Sequence, residues 1–158
     1  MEKQFVGFKV ENNFYCIDID YVKEVVKVNQ ITWMPHAPGF VRGIINLRGI
    51  IVPVISLKLK FGLIEKEEKL DEYKVIIVNI NNLLVGLIVD EFVYVFSSSD
   101  DKIQGLDATG DIKIARNLIN GIIKMENNIF LILNIKNILD IEEQKFINKE
   151  VIEPKKID

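Results

Sequence analysis

One cysteine, one histidine and one tryptophan are present in 158 residues, and these scarcities exclude more than the abundant residues establish. A single cysteine removes any disulfide framework, and with one histidine there is no Cys/His cluster of the kind that holds structural or catalytic zinc. Cys16 stands between Tyr15 and Ile17 in an apolar run, where a thiol packs as a small hydrophobe. His36 lies between Pro35 and Pro38 and reads as an ordinary loop residue. No charge of either sign dominates: the net charge of −3 gives none of the basic field that nucleic-acid binding uses. Apolar runs such as Ile50 to Ile55 and Leu83 to Val89 fall far short of the roughly 18 residues that span a bilayer. Met1-Glu2-Lys3-Gln4 leads straight into a strand pattern, which does not resemble a signal peptide, so the chain is expected to be soluble and cytoplasmic, without direct membrane insertion. Glycine patterns for phosphate loops and dinucleotide sites are absent, because Gly43 and Gly49 are not followed by Lys-Ser or Lys-Thr and no Gly-x-Gly-x-x-Gly occurs.

What is present is β-branched and apolar. Hydrophobic residues make up 49% of the chain, enough to build a core in one domain of this length. The stretch Gly43 to Leu57 reads as a β-hairpin, with Arg48-Gly49 at its apex, where glycine accepts positive φ and the charged side chain stays in water. Pro53 cannot donate to a ladder, so its strand is expected to lie at an edge or to be bulged there. Upstream, Phe5 to Val10 and Phe14 to Ile19 form a hairpin across Glu11-Asn12-Asn13, and Asp20 is expected to cap a helical turn through Glu24. Trp33 and Met34 are expected to pack a loop from Val28 to Gly39 onto the body, and Leu57 to Phe61 to form a short helix stopped by Gly62. A charged connector, Glu65 to Glu72, precedes strands over Tyr73 to Ile80, Leu83 to Val89 and Phe92 to Phe96. After a loop from Ser97 to Asn120 come a hairpin across Glu126-Asn127-Asn128, a helix over Asn134 to Leu139 and a polar tail.

The halves look like copies. An offset of 70 lays Phe5 to Val26 on Val75 to Phe96 without a gap, pairing Asp20 with Asp90, Val22 with Phe92 and Val25 with Val95. An offset of 78 then lays Gly43-Ile44-Ile45 on Gly121-Ile122-Ile123, the extra residues falling in a loop. Chance similarity between short apolar strands explains any one match; the shared order of features favours duplication. Two units of about five strands, closed to remove their edges, give an all-β fold of two packed β-barrels with short helices.

No catalytic constellation is assembled by these residues. The carboxylates Asp18, Asp20, Asp90, Glu91, Asp100 and Asp101 read as caps and solvated loop ends. No enzyme activity, cofactor or metal is therefore expected. Phe92, Tyr94 and Phe96 alternate with Val93 and Val95, so both faces of that strand need cover, one from its own barrel and the other from the second barrel or from a partner.

Residues Met34 to Gly49, Met-Pro-x-Ala-Pro-Gly-Phe-Val-Arg-Gly-Ile-Ile-Asn-Leu-Arg-Gly, followed by Val52-Pro53-Val54-Ile55-x-Leu57, resemble the signature of the CheW family of bacterial chemotaxis coupling proteins. The likeness extends to Tyr15 through Ile19 with Lys23-Glu24-Val25, to Val85 through Asp90 and on to Ser97, and to Asn120-Gly121 and Leu131 through Asn134, covering about residues 4 to 143. It implies two five-stranded barrels, the first strand belonging with the second, so that one CheW-like domain over 1–145 divides into 14–80 and 1–13 plus 81–145, with 146–158 as a polar tail. It also implies a free-standing adaptor, a monomer in isolation, that links the regulatory domain of a CheA-type histidine kinase to the cytoplasmic tips of methyl-accepting chemoreceptors in membrane-associated arrays. A scaffold in a non-chemotactic array is the alternative. Carried over position by position, receptor contact falls to Val22, Glu24, Gly43, Arg48, Phe92 and Val95. Two departures stand out: Ser56, where the family usually has Asp, and bulky Phe92, where it usually has a small aliphatic.

Overall fold

A computed structural model describes residues 2–34, 37, 40–63, 72–105 and 116–152. His36 and its flanking prolines, most of the charged connector and the end of the polar tail lie outside these residues.

Among the described residues, twelve strands carry the fold. Eight of them form four hairpins with two-residue turns: β1 (Glu2–Val10) with β2 (Asn13–Asp18), β5 (Val41–Leu47) with β6 (Ile50–Ser56), β7 (Tyr73–Ile80) with β8 (Leu83–Val89), and β11 (Ile119–Met125) with β12 (Asn128–Leu133). Each turn begins on a residue in the left-handed region, namely Glu11, Arg48, Asn81 and Glu126, the backbone form that matches the twist of the flanking strands. Two turns carry an added side-chain clamp: Asn46 Oδ1 accepts from the Gly49 amide at 2.8 Å and Asn79 Oδ1 from the Asn82 amide at 2.9 Å. The other strands are β3 (Val22–Val28), β9 (Glu91–Ser99) and two of two residues each, β4 (Thr32–Trp33) and β10 (Ile103–Gln104). Helix α1 (Leu57–Lys60) follows β6, with Gly62 at φ +78 beyond it, and α2 (Ile141–Phe146) follows β12 through a short 3-10 turn at Ile135–Asn137.

The strands make two six-stranded sheets rather than closed five-stranded barrels, in the orders β10-β11-β12-β2-β1-β9 and β3-β7-β8-β6-β5-β4. The all-β expectation holds; closure does not, because each sheet ends on a two-residue strand on one side and on β9 or β3 on the other. The barrel boundaries at 14–80 and 1–13 plus 81–145 also move. Residues 14 to 18 lie in β2, which stays beside β1, and residues 83 to 89 form β8, which stays beside β7. A two-residue turn cannot carry the second strand of a hairpin to another sheet, so each hairpin enters its sheet whole.

Written against the two offsets, the sheets are the same object. Replacing β10, β11, β12, β2, β1 and β9 by β4, β5, β6, β8, β7 and β3 turns one strand order into the other. The registers follow: the parallel pair Ile132 with Cys16 corresponds to Val54 with Gly86, and the irregularity between Ile119 and Gly121 to that between Val41 and Gly43. Each half gives its first hairpin to the sheet built by the other half.

Packing has three centres. Between the sheets lies the largest core, built from Phe8, Tyr15 and Ile17 of one sheet and Ile55, Ile76, Val78 and Leu87 of the other. Each sheet also curls over its own interior, one filled by Phe5, Phe96 and Phe130, the other by Val52, Val54 and Val75. Cys16 is fully buried in the first of these, and burial pushes its thiol far above the usual range, away from any reactive thiolate. The expected tail from 146 onward is a correction: Ile147 is fully buried in the central core, with Phe146 and Val151 packed beside it. Glu143 is only 2% exposed, its charge paired at 2.8 Å with Lys60 while it closes a capping box with Asp140.

Candidate functional site

The hairpin tip of β5 and β6 fixes the most distinctive group on the surface. Arg48 at φ 52 and Gly49 at φ 90 form a tight reversal that lifts the Arg48 side chain out of the sheet, 71% exposed. Its guanidinium is not free: Nη2 donates to Glu24 Oε1 at 2.5 Å, reaching from the β5–β6 tip to strand β3 at the far edge of the sheet order. The geometry thus brings together two of the expected site residues, Arg48 and Glu24. The pair is open to water, so it orients the guanidinium while leaving donors of the fork directed outward.

Glu24 is placed by β3, which is a strand where a helical turn through Glu24 was expected. The turn is shorter and earlier, a 3-10 turn over Ile19–Tyr21 capped by Asp18, whose carboxylate accepts from the Asp20 amide at 3.0 Å. From Val22 onward the chain pairs with β7, and ladder bonds outweigh the weak local preference for helix. Along β3, Val22, Glu24, Val26 and Val28 are half-buried, while Lys23, Val25 and Lys27 face water. Val22 touches the central core, and so does Phe92, its equivalent in β9. Phe92 is half-buried and packs against the core between the sheets.

Val95 sits at the middle of edge strand β9 and is 55% exposed. Its equivalent Val25 is 46% exposed in β3, so the duplicated position is a surface position in both sheets. Neither Phe92 nor Val95 shares a sheet with Arg48. Four of the six expected residues therefore form a charged pair on one sheet, Arg48 with Glu24, and an apolar pair on the other, Phe92 with Val95, while Val22 lies on β3 with Glu24.

Gly43 belongs to neither group. It is buried, and a Cβ there would stand 2.1 Å from the Thr32 carbonyl oxygen, so glycine is what lets β4 approach β5. Ser56, the other departure from the family signature, is buried and caps α1, its hydroxyl accepting from the Leu59 amide at 3.2 Å. An aspartate would cap the same helix, so the local structure survives the change.

Three exposed side chains beside these were not expected from the sequence to face water. Ile50 and Ile51 extend the Arg48 tip as exposed apolar residues, and Trp33 is half-exposed with the Arg42 guanidinium 3.9 Å above its ring, instead of packing a loop onto the body. Alternation within a hairpin marks Ile51 as facing opposite to Val52, but not which face meets water. Among the described residues, no three His, Cys, Asp or Glu side chains gather as metal ligands, and no helix is long and apolar enough to cross a membrane.

The CheW-like domain family model matches residues 4–143. The chain is 34% identical over 151 residues to chemotaxis protein CheW of Treponema pallidum, covering 92% of this chain and 87% of that one. It is 32% identical over 147 residues to chemotaxis protein CheW of Bacillus subtilis, covering 90% of each. Among solved structures, scaffolding protein TtCheW from Thermoanaerobacter tengcongensis superposes with a TM-score of 0.79 at 35% identity, covering 90% of this chain and 96% of that one.

Proposed function

The chain belongs to the CheW-like domain family and is a chemotaxis coupling adaptor, and from that premise we propose that it joins a CheA-type histidine kinase to the cytoplasmic tips of chemoreceptors. The proposal places it in the cytoplasm, recruited to membrane-associated arrays. The observation that carries the receptor half is Arg48: a guanidinium raised on a rigid two-residue turn, oriented by Glu24 and flanked by exposed Ile50 and Ile51.

A receptor helix lays apolar side chains against this surface and presents a carboxylate or carbonyl to the outward donors of Arg48, a charge-assisted contact that strengthens as water leaves. Val22 and Phe92 set the apolar floor from the two sheets, and Val95 adds an apolar contact on the second sheet. Gly43 acts through β4. The kinase's regulatory domain meets another face, and by binding kinase states unequally the adaptor biases the kinase without chemistry of its own.

Titration of the purified protein against a receptor tip fragment and against the kinase regulatory domain, separately, tests this reading. Both should bind, and the two should bind together. Failure of both fragments to bind would leave the coupling role without support.

A further inference from the structure

The duplication supplies an internal reference for the surface. In both sheets a glycine lets a two-residue edge strand come close: a Cβ at Gly43 would stand 2.1 Å from the Thr32 carbonyl oxygen, and one at Gly121 would stand 2.6 Å from that of Gln104. The registers match as well, since Thr32 lies opposite Ile44 and Gln104 opposite Ile122, the same position under the offset of 78. What the two edges present is different. Trp33 follows Thr32 and is 51% exposed, with the Arg42 guanidinium 3.9 Å over its ring. In the other sheet Gly105 follows Gln104, and Asn120 stands where Arg42 does. The tips differ in the same sense, Arg48 against Glu126. An aromatic ring and two guanidiniums thus distinguish one sheet from its copy, and the copy keeps the strand plan without them.

We infer that Trp33, stacked on Arg42, is a second anchor for the receptor helix that Arg48 holds, and that this helix is acidic toward both ends of the contact. The inference rests on the receptor reading given above. Half of the Trp33 side chain is in water, and a cation already lies over its ring, so a partner that covers the rest buries apolar area at a small cost in side-chain order. The charges on Arg42 and Arg48 select the same kind of ligand: each favours a carboxylate and repels a basic segment. From position 42 to position 48 a strand spans about 20 Å. A helix covers that distance in about 13 residues at its rise of about 1.5 Å per residue. A receptor segment of about four turns, acidic near each end and apolar between, therefore reaches both anchors when it runs along β5, and Ile51, exposed and paired with Asn46, offers an apolar rest between them. The second sheet, with Gly105, Asn120 and Glu126 at the equivalent places, offers neither ring nor cation there.

Trp33 is the one tryptophan of the chain, so its fluorescence reads this contact directly and needs no variant. A tryptophan-free receptor tip fragment is added to the full-length protein, with emission followed beside binding by calorimetry. The expected result is a blue shift and reduced quenching by acrylamide that saturate together with binding, and Arg48→Glu should weaken binding and shift alike. Trp33→Ala should lower fragment affinity about tenfold at an unchanged melting temperature, and Trp33→Phe, which keeps a ring beneath Arg42, should recover part of that loss. Emission and quenching that stay constant while the fragment binds, in a manner that Arg48→Glu weakens, would overturn the inference and leave the receptor reading standing. Fragment binding that Arg48→Glu leaves intact, or no binding at all, would overturn both. A shift produced by a tryptophan-free kinase regulatory domain and not by the receptor fragment would give Trp33 to the other partner, and so would overturn the inference as well.

Discussion

The two sheet interiors have the same strand plan and are filled in opposite ways. In one, Phe5, Phe96 and Phe130 meet ring to ring, with Phe96 and Phe130 centroids 4.9 Å apart. In the other, the equivalent positions hold Val75, Val26 and Val52. Space for the rings comes from Gly7, where a Cβ would stand 3.0 Å from Phe130 Cε1; its equivalent in the aliphatic sheet is Ile77, a full side chain. The compensation also runs the other way, since buried Cys16 faces the aromatic interior while its equivalent is Gly86, where a Cβ would lie 2.7 Å from both Val54 and Val75. Strand order has been kept while the side chains that fill it changed, with small residues placed where large neighbours need room. The tips diverge in the same manner: Arg48 on one hairpin stands where Glu126 stands on the other, both with positive φ, so the backbone device is common and the charge is not.

The difference between interiors is broken most strongly from inside. Phe130→Ala should cost about 3 to 5 kcal/mol, whereas Val52→Ala, which removes two methyl-sized groups at the equivalent position, should cost roughly 2 kcal/mol. Urea unfolding of both variants checks the order, and equal losses would mean that the rings do not carry their sheet. At the close approaches, Gly43→Ala should be destabilising by about 1 to 3 kcal/mol, and Gly121→Ala by less, because the added Cβ meets the Thr32 oxygen at 2.1 Å but the Gln104 oxygen at 2.6 Å. Melting temperatures in that order would confirm that these glycines act through backbone contact. A variant at Gly43 with wild-type stability and lost receptor binding would instead make it a direct contact.

Much of this plan was legible in the sequence. The four hairpins, the helix after Ser56 and the duplication rest on turn residues and period-two patterns, which are local. Sheet membership was not legible, because nothing in the alternation of Phe14 to Ile19 or Leu83 to Val89 tells which strand lies alongside, and the parallel pairs β12–β2 and β6–β8 join residues more than thirty positions apart. Likewise, Glu143 and Lys60 look like solvated charges in sequence and become a buried pair only when α2 crosses to α1. For the site, the Arg48 apex was readable from its turn, but its link to Glu24 was not, since in the sheet order β7 and β8 lie between strand β3 and the β5–β6 hairpin.

Surface positions should yield smaller changes in stability. Val95→Lys is expected to move folding stability by no more than about 0.5 kcal/mol, and the same holds for Val25→Lys, since both side chains face water. If the two sheets divide the docking as proposed, Val95→Lys weakens receptor or kinase binding at an unchanged melting temperature. Unfolding by Val95→Lys would return that strand to the core.

The central claim rests on Arg48, and its charge reversal is the measurement that tests it most directly. Arg48→Glu loses the exposed pair with Glu24 and sets two carboxylates side by side, which should cost about 1 kcal/mol or less of folding stability. Breaking a desolvated charge contact with the receptor typically costs about 2 to 5 kcal/mol, so receptor affinity should fall by more than tenfold. Wild type and Arg48→Glu, each titrated against the receptor tip fragment and the kinase regulatory domain, should then differ strongly in the first titration and little in the second. Receptor affinity unchanged within twofold would contradict the account and leave Arg48 a solvated hairpin tip.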